Sequence, residues 1–111
     1  MAGFTIGAER VDCRVWCNYN GTGTPAIRDS NFVSTLADVK VGTQRVNFSV
    51  TMGNNTFVCV GMAGLNDTSQ KCVNQNGNYE SLTSTRATFQ TTNADGTLQD
   101  MEYVHIAIFG T

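Results

Sequence analysis

CRVWCNYNGTGTPAIRDS, residues Cys13 to Ser30, is the stretch from which the fold can be read. In its first half Cys13, Val15, Cys17 and Tyr19 alternate with Arg14, Trp16 and Asn18. A period of two held over seven residues predicts a β-strand with one packed face, since successive side chains of a strand point to opposite sides. The run then meets Asn20-Gly21-Thr22-Gly23-Thr24-Pro25. Two glycines there can take positive φ, and the proline cannot donate to a ladder. Ala26-Ile27-Arg28 is extended again, so the segment reads as strand, tight corner, strand.

The same pattern continues outward. Strand-like runs recur at 12–18, 26–28, 32–36, 44–50, 56–62, 71–74, 79–82, 86–92 and 102–109. Turn signals separate them at Asn20-Gly21, Gly42, Gly53-Asn54-Asn55, Gly64, Asn76-Gly77-Asn78 and Asp95-Gly96. Asn76-Gly77 and Asp95-Gly96 predict type I′ hairpins, whose two central residues both need positive φ. About eight short antiparallel strands at this spacing predict an all-β domain, a single jelly-roll-like β-sandwich. The best helical candidate is no more than a turn near Val33–Lys40. Residues 1–11 form an N-terminal lead-in, loose or a short edge strand, and 12–111 the sandwich domain.

Two strands are apolar on both faces. In the last one Val104, Ile106 and Ile108 oppose Tyr103, His105, Ala107 and Phe109; in the other Phe57 and Cys59 oppose Val58, Val60 and Met62. One small sandwich covers only one face of each strand. The second apolar face therefore predicts an oligomer.

Composition narrows the function classes. The chain has 111 residues, enough for one domain, and 41% of them are hydrophobic, enough for a core. Charged residues are scarce at 14%, where about 25% is usual. Fifteen Thr and eleven Asn supply the polarity instead. The net charge is −2, and the seven cations are scattered rather than gathered in a stripe, which argues against nucleic-acid binding. No apolar run approaches the roughly 20 residues of a membrane-spanning helix. The start, Met1-Ala2-Gly3-Phe4, has no basic segment followed by an apolar one, so no secretory signal is expected.

Arg14, Trp16, Asn18, Tyr19, Asn20-Gly21-Thr22-Gly23-Thr24 and Ala26-Ile27-Arg28 resemble the RAWVNFNGTGT…IR signature of C-terminal tip domains of bacteriophage tail fibres and related virion appendages. Ser30–Ser34, Arg45–Met52 and the closing Val104–Gly110 match the family's later segments. The likeness is strong over 13–62, weak over 63–99 and moderate at the end. It implies a homotrimer assembled in the host cytoplasm and displayed on the virion exterior, on tail or capsid surface. It implies structural roles for Arg14, Trp16, Asn18, Gly21, Gly23 and Arg28. Its implied function is host-surface receptor binding, with a bacterial surface glycan or protein and other virion proteins as partners. The alternative is a capsid decoration or fibre-joining protein without receptor binding.

Residues with chemistry give weaker signals. Cys13 and Cys17 lie about 13 Å apart along one strand, too far to bond to each other. Buried thiols acting as small hydrophobes are the preferred reading. Cross-pairing with Cys59 or Cys72 stays open, and no pair has the turn spacing of a zinc site. His105 reads as a core or interface histidine; near a three-fold axis, three copies of it could hold an ion. Asp100 and Glu102 read as solvated edge charges rather than a hydrolytic pair, which needs a sugar-sized cleft between the carboxylates. Asn20–Thr24 lacks the lysine and following helix of a phosphate loop. No enzyme, cofactor or metal is expected. The loop-rich segment from Gly61 to Thr85 offers amide, carboxylate and phenol groups suited to sugar hydroxyls. It makes Asn66, Asp67, Gln75, Asn76 and Tyr79 the receptor-binding candidates.

Overall fold

The computed structural model describes residues 4–6, 9–53, 57–66, 70–75 and 83–110, and among them there are nine strands and no helix. They are β1 (Phe4–Ile6), β2 (Glu9–Asn20), β3 (Ala26–Asn31), β4 (Val33–Lys40), β5 (Thr43–Phe48), β6 (Val58–Gly64), β7 (Lys71–Gln75), β8 (Arg86–Asn93) and β9 (Tyr103–Gly110). The helical turn considered at Val33–Lys40 is strand β4. The lead-in supplies β1, which pairs with the first residues of a β2 that begins at Glu9 rather than Asp12.

The strands form two antiparallel sheets. One follows the order β1-β2-β9-β6, with β3 also on β2; the other runs β4-β5-β8-β7. Both send apolar side chains into one cluster. Val15, Cys17 and Tyr19 of β2 and Val104, Ile106 and Ile108 of β9 meet Val46 and Phe48 of β5 and Ala87 and Phe89 of β8. Phe57, on the approach to β6, packs edge-on against Phe48 with ring centroids 5.7 Å apart. Each fully buried aliphatic chain contributes about 1.5–3 kcal/mol of transfer free energy.

The opening hairpin forms as its sequence requires. Asn20 Oδ1 accepts from both the Thr22 backbone N–H, at 2.9 Å, and the Thr22 hydroxyl, at 2.6 Å. This side chain mimics a backbone turn. Gly21 donates its N–H to Met101 O at 2.7 Å, and a Cβ there would sit only 3.0 Å from that oxygen. Gly23 has φ +60°.

Two bulges adjust the alternation where β2 meets its neighbours β9 and β3. Cys13 pairs with Phe109 and Val15 with Ile108, leaving Arg14 unmatched. Cys13 is consequently half-buried and outside the core, which corrects its expected place beside Val15 and Cys17. Asn31 Nδ2 donates to Arg14 O at 3.0 Å and so satisfies the carbonyl at the bulge. Opposite, Asn18 pairs with Asp29 and Tyr19 with Ile27, so Arg28 is the extra residue on β3. Phe32, between β3 and β4, takes φ +55° and is 49% exposed where the chain passes between sheets. An aromatic residue in the left-handed region is a conformational outlier.

The reversal after β8 is not the expected type I′ turn. Only Gly96 has positive φ, at +88°, while Asp95 does not. Gly96 N–H donates to Asn93 O and Asn93 N–H to Thr97 O, a wider reversal that places a single left-handed glycine after the turn. Asp95 Oδ1 accepts the Thr97 N–H at 3.0 Å, a bond that holds the carboxyl below its ordinary pKa. Asn76-Gly77 lies outside the described residues.

Candidate functional site

The feature that stands out is the outer face of the five-stranded sheet. Register fixes it row by row. Trp16 pairs with Ala107 and Ala107 with Val60; Asn18 pairs with His105 and His105 with Met62; Phe109 pairs with Val58. Side chains on adjacent strands at matched positions share a face, and the core side of β9 is already taken by Val104, Ile106 and Ile108. Val58, Val60, Met62, Tyr103 and Phe109 are therefore left outside, exposed by 60, 52, 74, 42 and 36%.

Ala107 is the smallest side chain in its row, between Trp16 and Val60. The resulting notch opens into a groove of about 530 Å³ lined by Trp16, Asn18, Val60, Met62, His105 and Ala107 among others. Neither β6 (VCVGMAG) nor β9 (YVHIAIFG) carries an Asp, Glu, Lys or Arg. At one end the Arg28 guanidinium lies 5.0 Å from the centre of the Tyr103 ring, a cation–π contact between the β3 bulge and the start of β9.

His105 is exposed on this face rather than set in the core. That corrects the expectation of a core histidine. Asp100 is corrected too. It precedes β9, is half-buried, and its Oδ1 accepts the Gly42 N–H at 2.7 Å and Gln44 Nε2 at 3.4 Å. Gln44 is fully buried and its Oε1 lies 3.4 Å from the Tyr19 hydroxyl. Asp100 is thus a clasp that ties the 94–102 loop to β5, not a solvated edge charge. Burial pushes the Tyr19 phenol well above its ordinary pKa, and the nearby Cys17 adds to the rise.

All four cysteines are free thiols. Cys17 is in the core, Cys13 and Cys59 are half-buried, and Cys72 is exposed on β7. Burial pushes the Cys17 and Cys59 thiols up to about 11. A thiol kept neutral in this way is a poor nucleophile and a poor metal ligand. Among the described residues no three His, Cys, Asp or Glu side chains converge as a metal set.

The receptor-binding candidates are not gathered into a site among the described residues. Asn66 is exposed just after β6, and Gln75 is the last residue of β7, paired with Phe89. Asp67, Asn76 and Tyr79 lie outside the described residues. The residues of the opening signature are spread along one hairpin. Arg14 is the bulge, Trp16 and Asn18 stand on the outer face, Gly21 and Gly23 form the corner, and Arg28 caps Tyr103. Sequence reading misjudged Asp100 and assigned no role to Asn31, whose hydrogen bonds reach across 58 and 17 residues of chain. Nothing local marks either contact.

No protein-family model, curated protein sequence or solved structure matches the chain.

Proposed function

We propose that this chain is a homotrimeric, jelly-roll-like β-sandwich module on the exterior of a bacteriophage particle, a tail-fibre tip that attaches to a bacterial surface glycan or protein. The observation that carries the reading is the apolar outer face of β9 and β6, two strands without a charged residue, continued by Trp16 of β2. A lone subunit in water would leave that face uncovered, whereas an appendage built from identical copies hides it. The resemblance of the Arg14–Arg28 hairpin to phage tip domains supplies the setting. Recognition is assigned to Asn66, Asp67, Gln75, Asn76 and Tyr79. The module binds without turnover.

The test is the solution mass of the purified chain, followed by its retention on bacterial cells. The expected mass is three times 12.0 kDa. Expected binding is saturable, competed by purified surface polysaccharide or lost on protease-treated cells, with no release of reducing sugar. A trimer that binds no host cell fits the second reading, a capsid decoration or fibre-joining piece. The same apolar face favours that reading, because it suits docking on protein. A monomer overturns the trimeric part of the proposal.

A further inference from the structure

We infer that the outer face of β2, β9 and β6 is the surface on which a second copy of this chain seats, with Met62 of one copy entering the notch above Ala107 in the next. The inference rests on the oligomeric reading above and adds where the contact lies and how it closes.

Three observations choose the occupant. The first is area. The five exposed apolar side chains leave on the order of 500 Å² uncovered, at the upper end of what a monomer shows and more than half of the roughly 800 Å² each partner contributes to a standard interface. Trp16, Asn18, His105 and Ala107 extend the same surface. The second is charge. With no Asp, Glu, Lys or Arg on β6 or β9, charge complementarity has little to act on across these two strands; the charges nearby are those of β2 and Arg28 at the Tyr103 end. The face fits a partner equally poor in charge, and this chain, at 14% charged residues, is one.

The third is shape. The face carries both halves of a contact. Met62, 74% exposed, is the most prominent of its large apolar side chains. The notch lies one row away, where Ala107 sits between Trp16 and Val60 with His105 and Phe109 two residues before and after it on β9. A projection and a recess at different places on one face are joined by a rotation that carries each copy's projection into its neighbour's recess. About a two-fold axis such a contact is isologous; under the three-fold symmetry of the trimeric reading it is heterologous and closes a ring. Three copies arranged in this way would turn their β9 strands inward.

The experiment measures mass by light scattering across a concentration series for the full chain and for three variants, Met62→Asp, Val60→Asp and Val41→Asp. Val41 is 62% exposed but lies in the turn between β4 and β5, so it controls for the loss of any exposed apolar group. Circular dichroism verifies folding. The pair Val60→Thr and Met62→Gln, which keeps strand-compatible side chains, carries the same test if the aspartates unfold the chain. The expected result is a trimer for the parent and for Val41→Asp, with dissociation constants raised at least about tenfold in both face variants. A parent oligomer that all three variants leave intact overturns this face while the oligomeric reading stands. A parent dimer abolished by the face variants supports the face and overturns the ring. A parent that remains monomeric at high concentration overturns both.

Discussion

The two sheets present the same kind of surface to each other and opposite kinds to solvent. Inward, β2 and β9 offer Val15, Cys17, Val104, Ile106 and Ile108, and β5 and β8 offer Val46, Phe48, Ala87 and Phe89. Outward, the four-stranded sheet alternates these with the partly exposed Arg45, Asn47, Arg86 and Gln90, whereas the five-stranded sheet shows Trp16, Val58, Val60, Met62 and Phe109. A sheet with one solvated face needs polar residues only on that face. The four-stranded sheet obeys that rule and the five-stranded sheet does not. Folding of the single chain explains every inward residue and none of the apolar outward ones, which is why association is the reading that remains for them.

Inward and outward positions should differ most in stability. Ile106→Ala, at 3% exposure, is expected to cost about 3 kcal/mol, within the range for buried aliphatic truncations. Gln90→Ala, on the polar outer face, should stay within about 0.5 kcal/mol. Thermal or urea unfolding measures both, and equal costs would break the contrast. The apolar outer face should show itself in another way: the midpoint of unfolding should rise with protein concentration for the parent but much less for Met62→Asp, because mass action stabilises only what associates.

Turns sharpen the comparison at the next level of effect. Gly42 and Gly23 have similar left-handed φ, +68° and +60°, but different room. A Cβ at Gly42 would lie 2.8 Å from Gln99 N and 2.9 Å from Thr91 O, whereas nothing lies within 4 Å of one at Gly23. Alanine at Gly23 should cost about 1 kcal/mol of backbone strain, and alanine at Gly42 more than twice that. Asp100→Ala, which leaves the Gly42 N–H without its carboxylate, should cost about 1–3 kcal/mol. Hydrogen exchange at Gly42 should accelerate in the same variant. Unchanged exchange there would remove the clasp.

The smallest effect is chemical and depends on pH. Cys17 titrates at about 11 in the fold against an ordinary 9.0, because burial disfavours the thiolate. The folded protein therefore holds a proton that the unfolded chain releases. Its contribution is complete below pH 9 and is lost as the pH rises to 11, at up to about 1.4 kcal/mol per pH unit between those values. A Cys17→Ala variant should flatten this part of the stability profile. At pH 8 a maleimide should modify exposed Cys72 first and core Cys17 last, read by mass spectrometry of labelled peptides. Early labelling of Cys17 would contradict the packing of β2 against β9.

Much of this could be read from local sequence because strands have a local signature. Val15-Trp16-Cys17-Asn18-Tyr19 alternates strictly, and its core residues are buried at every second position. The corner at Gly23 was legible for the same reason, since a left-handed glycine acts on its own backbone, whereas Gly21 keeps ordinary φ and is required by the approach of Met101 O. The double apolarity of β6 and β9 also pointed to the outer face. Cys13 was misplaced because the bulge at Arg14 depends on the register with β9, nearly a hundred residues away in the chain. Asp95-Gly96 promised a tighter turn than it makes, because Asp95 instead accepts a bond from Thr97 and leaves only Gly96 left-handed. Asp100 looked solvated because its acceptor role depends on the Gly42 loop arriving beside it.

The sequence by itself determined that this protein is made of strands, where most of them turn, and which residues cannot tolerate water. Those properties follow from backbone sterics and from a two-residue period, and neither needs a distant partner. Only the tertiary structure decided which strands are neighbours, where the ladders slip by one residue, and that Trp16, Val60, Met62, His105 and Ala107 share one outward surface. Pairing across long stretches of chain sets the register, and register, not composition, decides which side chains stand together.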